Sequence, residues 1–426
     1  MSFSYDTLVV GSGPSGIAAA IAAARGKKAV GLVDDNPAPG GQIWRRDLSR
    51  PRHPDAEKQL AQLNFTSVDR LQGCRVFDHP ANGVLHAECD GVAITLRYKK
   101  LILATGARER FLPFPGWTLP NVMGAGALDA LVRGGLPIAG KTVVVAGTGP
   151  LLLAVAAHLA EHGARIAAVC EQATKGQILP FLTALLGEPA KVKQVLGYRV
   201  KIRGANFHTG CWPVAARGGG QIEAVIVSNG RRQWEIACDY LACGFHLIPN
   251  VELPVLVGCR LQDGFVAVDD LQRTSVENVF CAGEPTGIGG VDKALIEGEI
   301  AGLACAGALD EARHLARHMK SRRRFARAMQ KAFALRTELK ALASEDTIIC
   351  RCEDVPFGRL HSCTSWREAK LHTRCGMGPC QGRICGAATA FLFGWGADSV
   401  RPPVFPALLS SLVSASQSDD IPTEAQ

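Results

Sequence analysis

The sequence predicts an α/β protein in which two glycine-rich loops each join an apolar strand to a helix, followed by a small cysteine-rich segment. The first loop, residues 11–16 (GSGPSG), separates an apolar strand at 7–10 from an Ala- and Ile-rich helix at 16–25. The second, at 147–152 (GTGPLL), is flanked in the same way. Six of the 15 cysteines lie between residues 350 and 385. At 426 residues the chain exceeds one compact core, so we expect two or three domains.

Composition excludes several classes of protein. No run of 18 apolar residues occurs, so we expect no membrane span. The first residues have no basic stretch and no cleavage site typical of a signal peptide, and we expect a cytoplasmic protein. Part of the net charge of +8 lies between Arg313 and Lys340. Because no nucleic-acid-binding motif accompanies it, we expect a solvated or partner-facing basic helix and no nucleic acid partner.

The first loop fits the G-x-G-x-x-G pattern of dinucleotide-binding folds. Gly11 permits the tight turn, Gly13 lets the backbone approach a pyrophosphate, and Gly16 lets helix and strand pack closely. Pro14 and Ser15 lie at the start of the helix, whose positive end faces the phosphates. The loop therefore predicts a dinucleotide site.

An acidic residue follows the second strand, where such folds bind a ribose. Asp34 is the preferred residue for the ribose hydroxyls, and Asp35 is the alternative. Loop, strand and acid together favour a bound nucleotide over a glycine-rich turn with no ligand.

Three further segments indicate that this dinucleotide is FAD. They are a Pro-Gly-Gly-Gln stretch at 39–42, an apolar strand ending in an Ala-Thr-Gly turn at 104–106, and a strand ending at a Gly-Glu pair beside a glycine-rich run at 287–290. The candidate contact residues in these segments are Gly41, Gln42, Ala104, Thr105, Gly106, Gly283 and Glu284.

With these segments the chain resembles, over residues 1–310, the flavoproteins with two dinucleotide-binding domains, the glutathione and thioredoxin reductase group. The resemblance implies a discontinuous FAD-binding domain, 1–120 and 245–310, and a second nucleotide-binding domain at 121–244. It also implies that the Ala-Thr-Gly turn abuts the FAD and that Gly283 lies near the ribityl chain. That family usually has Asp where this chain has Glu284.

The second loop is degenerate. Gly147 and Gly149 are present, but Leu152 replaces the third glycine, which sets helix–strand packing. Glu171, after the next strand, could bind a ribose and would favour NAD over NADP. Productive nicotinamide binding, another adenine nucleotide, and a domain retained only for structure all remain open.

The flavin domain has no C-x-x-C pair, so we expect no thiol relay. The nearest pair, Cys238 and Cys243, fits a structural core. The cysteines outside the C-terminal group are interpreted as small buried apolar residues.

The C-terminal cysteines form a C-x-C pair, a spacer helical at 365–372, and a C-x4-C pair. These pairs are Cys350 with Cys352, and Cys380 with Cys385. Four thiolates on two loops fit a [2Fe–2S] cluster, whereas structural zinc sites favour C-x2–4-C spacing. Cys363 and Cys375 are the spare cysteines, although Cys375 could substitute for Cys380.

The strings CRCEDV (350–355) and TRCGMGPCQGRICG (373–386) resemble the bacterioferritin-associated-ferredoxin-like [2Fe–2S] domain. They are most similar to the form fused to α subunits of heteromeric flavin dehydrogenases, a group that includes opine oxidases, D-hydroxyproline dehydrogenase, dye-linked L-proline dehydrogenase and hydrogen cyanide synthase. The resemblance implies that Cys350, Cys352, Cys380 and Cys385 bind the cluster. It implies a basic helical linker at 311–345, a cluster domain at 346–400 and a tail at 401–426, which we expect to be disordered from Ser414.

No histidine or acid stands out as a substrate base; we interpret His208, His246 and His372 as structural or surface residues. This suits a subunit whose substrate chemistry lies elsewhere, and the resemblance implies an electron-transfer subunit of a dehydrogenase acting on CH–NH donors such as amino acids, imino acids or opines. The resemblance implies an FAD-containing β-type subunit, a small γ subunit, an FMN between subunits, and an electron acceptor. The alternative is a free-standing NAD(P)H-dependent flavin reductase in which electrons leave through the iron–sulfur cluster.

Overall fold

The computed structural model describes residues 1–396 and 400–419, and two sheets of α/β type organise the chain. The first half of the first domain contains β1 Ser2–Val10, α1 Pro14–Ala24, β2 Val30–Asp34, α2 Pro54–Asn64, β3 Asp69–Gln72, β4 Cys74–Ala81, β5 Val84–Cys89, β6 Val92–Leu103 and β7 Ala107–Glu109.

The second domain follows β7 and is inserted into the first. It contains β8 Val122–Gly124, α3 Ala125–Arg133, β9 Thr142–Thr148, α4 Leu151–Glu161, β10 Arg165–Glu171, α5 Lys175–Leu186, α6 Pro189–Lys201, β11 Asn206–Thr209, β12 Trp212–Arg217, β13 Ala224–Ser228, β14 Gln233–Ala237 and β15 Tyr240–Phe245.

The chain then returns to the first domain and continues into helices and a small C-terminal region. These elements are β16 Leu247–Pro249, α7 Glu252–Leu256, β17 Leu261–Gln262, β18 Phe265–Val266, β19 Val279–Cys281, α8 Val291–Ala306, α9 Leu309–Arg317, α10 Met319–Ala332, β20 Ile348–Cys350, β21 Val355–Pro356, α11 Trp366–Thr373, α12 Cys385–Phe393 and α13 Leu409–Asp419.

The first sheet has the order β3-β2-β1-β6-β5-β4, and β19 pairs with β6 from the far part of the chain. β1 runs parallel to β2 and β6, so the carboxyl ends of β1, β2, β6 and β19 meet at one edge. Helix α8 lies against α1 so closely that a Cβ on Gly298 would come 2.0 Å from the carbonyl oxygen of Ser15. This packing fixes the start of α1 at the sheet edge where ligands bind in such folds.

The second sheet has the order β11-β10-β9-β15-β8, and an antiparallel sheet β12-β13-β14 packs beside it. The region from 187 to 241, expected to be β-rich and irregular, instead begins with helix α6. Pro189 lies in the first turn of this helix, where its missing N–H costs nothing. The absence of buried residues on α6 removed the apolar periodicity that would have predicted it.

The basic stretch at 313–340 forms two helices, α9 and α10, with His318 between them, rather than one. The tail also differs from expectation, because residues 414–419 belong to helix α13, which packs against β6. Residues 420–426 of the expected tail lie outside the described part of the chain. Leu408 anchors the start of α13 by donating its amide to Glu88 at 2.8 Å.

Two of the scattered cysteines are not simple apolar core residues. Cys74 and Cys89 face each other on the antiparallel pair β4–β5 and form a disulfide. Among the described residues, no helix combines the length and apolar character needed to cross a bilayer.

Candidate functional site

The first glycine loop is shaped by close backbone contacts. Gly11 has φ +104°, and a Cβ there would lie 2.3 Å from the carbonyl oxygen of Ala104. A Cβ on Gly16 would lie 1.7 Å from the carbonyl oxygen of Gly11. Both glycines are therefore required by the packing of α1 on β1 and the turn after β6.

Gly13 differs, because the nearest atom to a Cβ there is the Cα of Gly41, at 4.0 Å. The protein itself does not need glycine at this position. A ligand that touches the backbone at the start of α1 would need it, as a pyrophosphate does. Gly41 closes the other side of this space, with φ +58°. The loop therefore fits the pyrophosphate of a dinucleotide.

Asp34 lies at the loop, as predicted, whereas Asp35 is exposed and faces Arg75 at 3.6 Å. The Asp34 carboxylate accepts hydrogen bonds from the amide of Ser12 and, at 2.7 Å, from the amide of Asn36. A ribose at this edge would meet Asp34 first. Gln42 is exposed and binds Arg45 at 3.0 Å.

The Ala-Thr-Gly turn at 104–106 is held by Asn250, a residue that sequence reasoning missed. The hydroxyl of Thr105 donates to the carbonyl of Asn250 at 2.6 Å, and the Asn250 side-chain amide donates back to the Thr105 carbonyl at 2.9 Å. The amide of Asn250 also donates to Gly106 at 3.0 Å. These bonds fix the turn at the carboxyl end of β6.

A second missed feature supports the turn after β19. Lys293 and Glu297 form a buried ion pair on α8 at 2.7 Å. Lys293 donates to the carbonyl of Gly283 and Glu297 accepts from its amide, both at 3.0 Å. The sequence could have indicated this ion pair, because a Lys and a Glu lie four residues apart in an otherwise apolar helix. Glu284 turns away, accepting from the amides of Gly289 and Gly290, and burial raises its pKa.

The second glycine loop packs differently. Gly147 has φ +137°, and a Cβ there would lie 1.9 Å from the carbonyl oxygen of Gly244. Leu152, at the position of the third glycine, is fully buried in the core formed by α3, α4 and β9. The degenerate residue is thus a packing residue of the second domain.

Glu171 occupies the place in the second domain that Asp34 occupies in the first. It is buried and accepts hydrogen bonds from the amide of Gly149 at 2.7 Å and the amide of Ala173 at 2.8 Å. The hydroxyl of Thr148 donates to it at 2.9 Å. Burial raises the pKa of Glu171 to about 7, against the opposing effect of these donors.

The chain itself covers this second site. After α10, the carbonyl of Phe333 lies 3.3 Å from the Thr148 hydroxyl, and the side chain of Gln172 donates to the carbonyl of Ala334 at 3.1 Å. Gln172 also accepts from the amide of Arg336 at 3.3 Å. The linker segment 333–336 therefore lies across the carboxyl ends of β9 and β10, where an adenosine would bind in such a fold.

Five thiols converge in the C-terminal region. The Sγ atoms of Cys350, Cys375 and Cys385 all lie within 4.8 Å of one another, and the Sγ of Cys352 lies 3.6 Å from that of Cys380. The structure thus brings together the four predicted ligands and Cys375. Cys363 lies in the surrounding apolar core.

The glycines between these cysteines allow their close approach. The amide of Gly376 donates to the Sγ of Cys350 at 3.4 Å, and a Cβ on Gly378 would lie 2.2 Å from that of Cys352. Thiol donors from Cys375 and Cys385 lower the pKa of Cys350 to about 2, and Cys385 lowers that of Cys380 to about 5, whereas burial raises the pKa of Cys352 and the neighbouring sulfurs raise the pKa values of Cys375 and Cys385. The close approach of the sulfur atoms, two of them favoured as thiolates, fits the ligand set of an iron–sulfur cluster.

Arg108 connects the cysteine loop to the turn of the FAD-type domain. Its side chain donates to the carbonyl of Arg383, between Cys380 and Cys385, at 3.2 Å. It also donates to the side chain of Asn250 at 2.7 Å and pairs with Glu252 at 2.7 Å. A bonded path therefore runs from the turn at 104–106 through Asn250 and Arg108 to the cysteine loop.

The family model described as pyridine nucleotide-disulphide oxidoreductase matches residues 5–298. The chain belongs to that family. The match and the fold confirm the prediction of an oxidoreductase with a Rossmann-like, FAD-binding architecture.

Two curated relatives match almost the whole chain. An opine oxidase subunit from Agrobacterium tumefaciens is 30% identical over 459 residues, covering 96% of this chain and 91% of the relative. The hydrogen cyanide synthase subunit HcnB from Pseudomonas aeruginosa is 31% identical over 420 residues, covering 89% of this chain and 90% of the relative.

Two solved structures share the fold. L-proline dehydrogenase from P. horikoshii superposes with a TM-score of 0.67 at 17% identity, covering 96% of this chain and 80% of that chain. Thioredoxin reductase from T. acidophilum superposes with a TM-score of 0.56 at 20% identity, covering 72% of this chain and 98% of that chain. The first likeness extends beyond the two sheets into the C-terminal region.

Proposed function

We propose that this chain is the electron-transfer flavoprotein and iron–sulfur subunit of a heteromeric dehydrogenase that oxidises an amino acid, an imino acid such as proline or hydroxyproline, or an opine. The observation that carries the proposal is the junction made by Arg108, which joins the turn of the FAD-type domain to the loop holding Cys380 and Cys385. A flavin fold bonded directly to a thiol cluster suits electron transfer between two cofactors.

In this proposal FAD and a [2Fe–2S] cluster, when bound, supply the electron-transfer chemistry. The FAD would be held by Gly11, Gly13, Pro14, Ser15, Gly16, Asp34, Gly41, Gln42, Ala104, Thr105, Gly106 and Gly283, with Asp35 and Glu284 as outer contacts. The cluster would be held by Cys350, Cys352, Cys380 and Cys385. Arg108 orients the cysteine loop, and the Lys293–Glu297 pair holds the turn at Gly283.

Partner subunits follow from the chemistry that the chain lacks. The site residues include no histidine or acid placed as a substrate base: burial lowers the pKa of His246 to about 4, and His208 packs edge-on against Trp234. The opine oxidase and hydrogen cyanide synthase relatives are both named as subunits. We therefore propose that an FAD-containing β-type subunit oxidises the substrate, and that the cytoplasmic complex also has a small γ subunit, an FMN where subunits meet, and an electron acceptor.

The second nucleotide site separates this proposal from a free-standing NAD(P)H-dependent flavin reductase. The segment 333–336 lies across Thr148 and Gln172 and leaves Glu171 fully bonded to protein donors. NAD or another adenine nucleotide could enter only by displacing it. We therefore assign the site no part in hydride transfer.

The experiment compares the chain expressed alone with the chain co-expressed with a β-type flavoprotein. Alone, it should show no dye-linked oxidation of proline, hydroxyproline or an opine, and the co-expressed complex should oxidise one of them. Robust turnover by the isolated chain would contradict the proposal.

The cluster assignment has its own test on the same protein. Wild type should contain about two iron atoms per chain together with acid-labile sulfide. Single Cys→Ala variants at 350, 352, 380 and 385 should lose both while keeping FAD. Cys363→Ala and Cys375→Ala are the matched controls and should keep the cluster. Loss of iron in Cys375→Ala with retention in Cys380→Ala would show that Cys375 is the ligand. Zinc in anaerobically isolated protein would overturn the electron-transfer role.

A further inference from the structure

Two histidines and an aspartate converge where the first domain meets the second, far along the chain from the cysteines. His158 lies in the last turn of α4, His162 is the residue that follows the helix, and Asp47 lies in the segment that follows the glycines at 40–41. The Oδ2 atom of Asp47 lies 3.1 Å from the Nε2 atom of each histidine. All three side chains are at least 86% buried, with exposures of 7, 14 and 10% for Asp47, His158 and His162.

The other nitrogen of each ring faces an oxygen of its own. The Nδ1 of His162 lies 2.9 Å from the carbonyl oxygen of His158, which can only accept. The Nδ1 of His158 lies 2.5 Å from Oδ1 of Asp129 in an ion-pair contact, without an aligned hydrogen bond between the two atoms. The hydrogen bond of His162 to the carbonyl of His158 places the proton of that ring on Nδ1, so its Nε2 faces Asp47 and Ser49 as an acceptor or ligand.

Three groups of the kind that bind metal ions therefore converge here. One ligand atom from each of Asp47, His158 and His162 lies within 4.8 Å of the other two, and the two imidazole rings are 4.3 Å apart between centroids. The Nδ1 of each histidine faces an outer oxygen, as is usual for metal-bound histidine.

We propose that Asp47, His158 and His162 bind one zinc ion that ties the two domains together. Zinc bonds of about 2.0–2.1 Å in tetrahedral geometry place neighbouring ligand atoms roughly 3.3 Å apart, close to the observed 3.1 Å. Nitrogen and carboxylate ligands suit zinc. The hydroxyl of Ser49, 3.0 Å from Nε2 of His162, lies beside the fourth position, which it or water could fill.

The surrounding contacts indicate a structural site. Arg133 binds Asp129 at 2.8 Å, and its carbonyl accepts from the amide of Leu48 at 3.0 Å. Arg50 pairs with Glu161 on α4 at 3.3 Å. The segment 45–50 is thus attached to α3 and α4 on both sides of the proposed ion, so zinc would fix the loop beyond Gly41 relative to the second domain.

The test measures zinc in the intact protein after incubation with zinc chloride and exhaustive dialysis. Wild type should keep one zinc more per chain than the double variant His158→Gln/His162→Gln, with iron and FAD unchanged. The matched control is His314→Gln/His318→Gln, an exposed pair with the same spacing that spans α9 and the residue after it. This control should keep the zinc.

Two measurements make the result independent of whether the double variant folds. Zinc-edge X-ray absorption of wild type should show nitrogen and oxygen ligands without sulfur, which would appear near 2.3 Å if zinc occupied the cysteines. Asp129→Asn, which removes the outer acceptor, should weaken zinc binding about 10–100-fold. Sulfur scattering, or no more zinc in wild type than in the double variant, would overturn the proposal and leave only a histidine–carboxylate contact between the domains.

Discussion

The two glycine loops of this chain start from almost the same sequence and end in different states. In both, the first glycine has a positive φ and a neighbouring backbone carbonyl leaves no room for a Cβ, and an acid from the next strand accepts a hydrogen bond from a loop amide. The space beside the second glycine, Gly13 or Gly149, is open in both loops. The loops differ at the strand ends, because only in the second does the segment 333–336 lie across them.

The difference teaches that the glycine pattern specifies a fold and not its occupancy. Gly11, Gly16 and Gly147 are required by backbone packing whether or not a ligand binds. Gly13 is the glycine of the first loop at which a Cβ would meet a ligand and no protein atom closer than 4.0 Å. The segment 333–336, which covers the second loop, follows α10 and lies far along the chain, so the glycine motif does not predict it.

The largest effect should come from the second glycine of the first loop. Gly13→Val should abolish FAD binding, because its side chain would fill the approach to the pyrophosphate without touching protein closely. The variant Gly149→Ala, at the same position of the second loop, strains a backbone with φ +98° but lies outside the first loop, so it should keep about one FAD per chain. Flavin extracted from purified protein measures both. Full FAD in Gly13→Val would contradict the assignment of the first loop.

The second prediction concerns NADH. Because the chain covers its own second loop, anaerobic mixing with micromolar NADH should reduce the flavin slowly or not at all, as stopped-flow absorbance would show. Gln172→Ala removes contacts to Ala334 and Arg336 and is the variant most able to release the segment. Rapid flavin reduction in wild type would instead favour the reductase.

Sequence reasoning could predict those parts of the site that rest on local chain geometry. Gly11 and Gly16 precede and begin a helix, and the cysteine pairs lie close in sequence, so their placement follows from short-range rules. Asn250 and Arg108 could not be found in this way, since their partners Thr105 and Arg383 lie up to 275 residues away. The same is true of Asp47, which meets two histidines from the other domain.

The helix α6 and the covering segment were missed for a related reason. A surface helix without a buried face has no apolar period to detect. The segment 333–336 acts through its backbone carbonyls and an amide, which every sequence offers equally. Contacts made through the backbone therefore leave no pattern of side chains in the sequence by which they could be predicted.

A third prediction concerns Leu152, which replaces the third glycine of the second loop. Leu152→Ala should destabilise the protein by about 2–5 kcal/mol, the range for truncating a fully buried leucine, and should leave FAD content unchanged. Leu151→Ala, its partly exposed neighbour, is the control and should cost less. Urea unfolding followed by tryptophan fluorescence measures both. An equal cost at both positions would mean that Leu152 does not hold the helix in place.

The smallest effect concerns Glu171, whose pKa burial raises from 4.5 to about 7. A carboxyl group with a raised pKa in the folded state favours folding most below its unfolded pKa, and that contribution is lost as pH rises through the folded pKa. Between pH 4.5 and 7 the stability of wild type relative to Glu171→Gln should therefore fall, by roughly 3 kcal/mol at most. Glu277→Gln, an exposed carboxylate, controls for the general loss of charge and should track wild type. A difference between wild type and Glu171→Gln that stayed constant with pH would mean that a cation or solvent neutralises Glu171, and that the covering segment does not seal the second site.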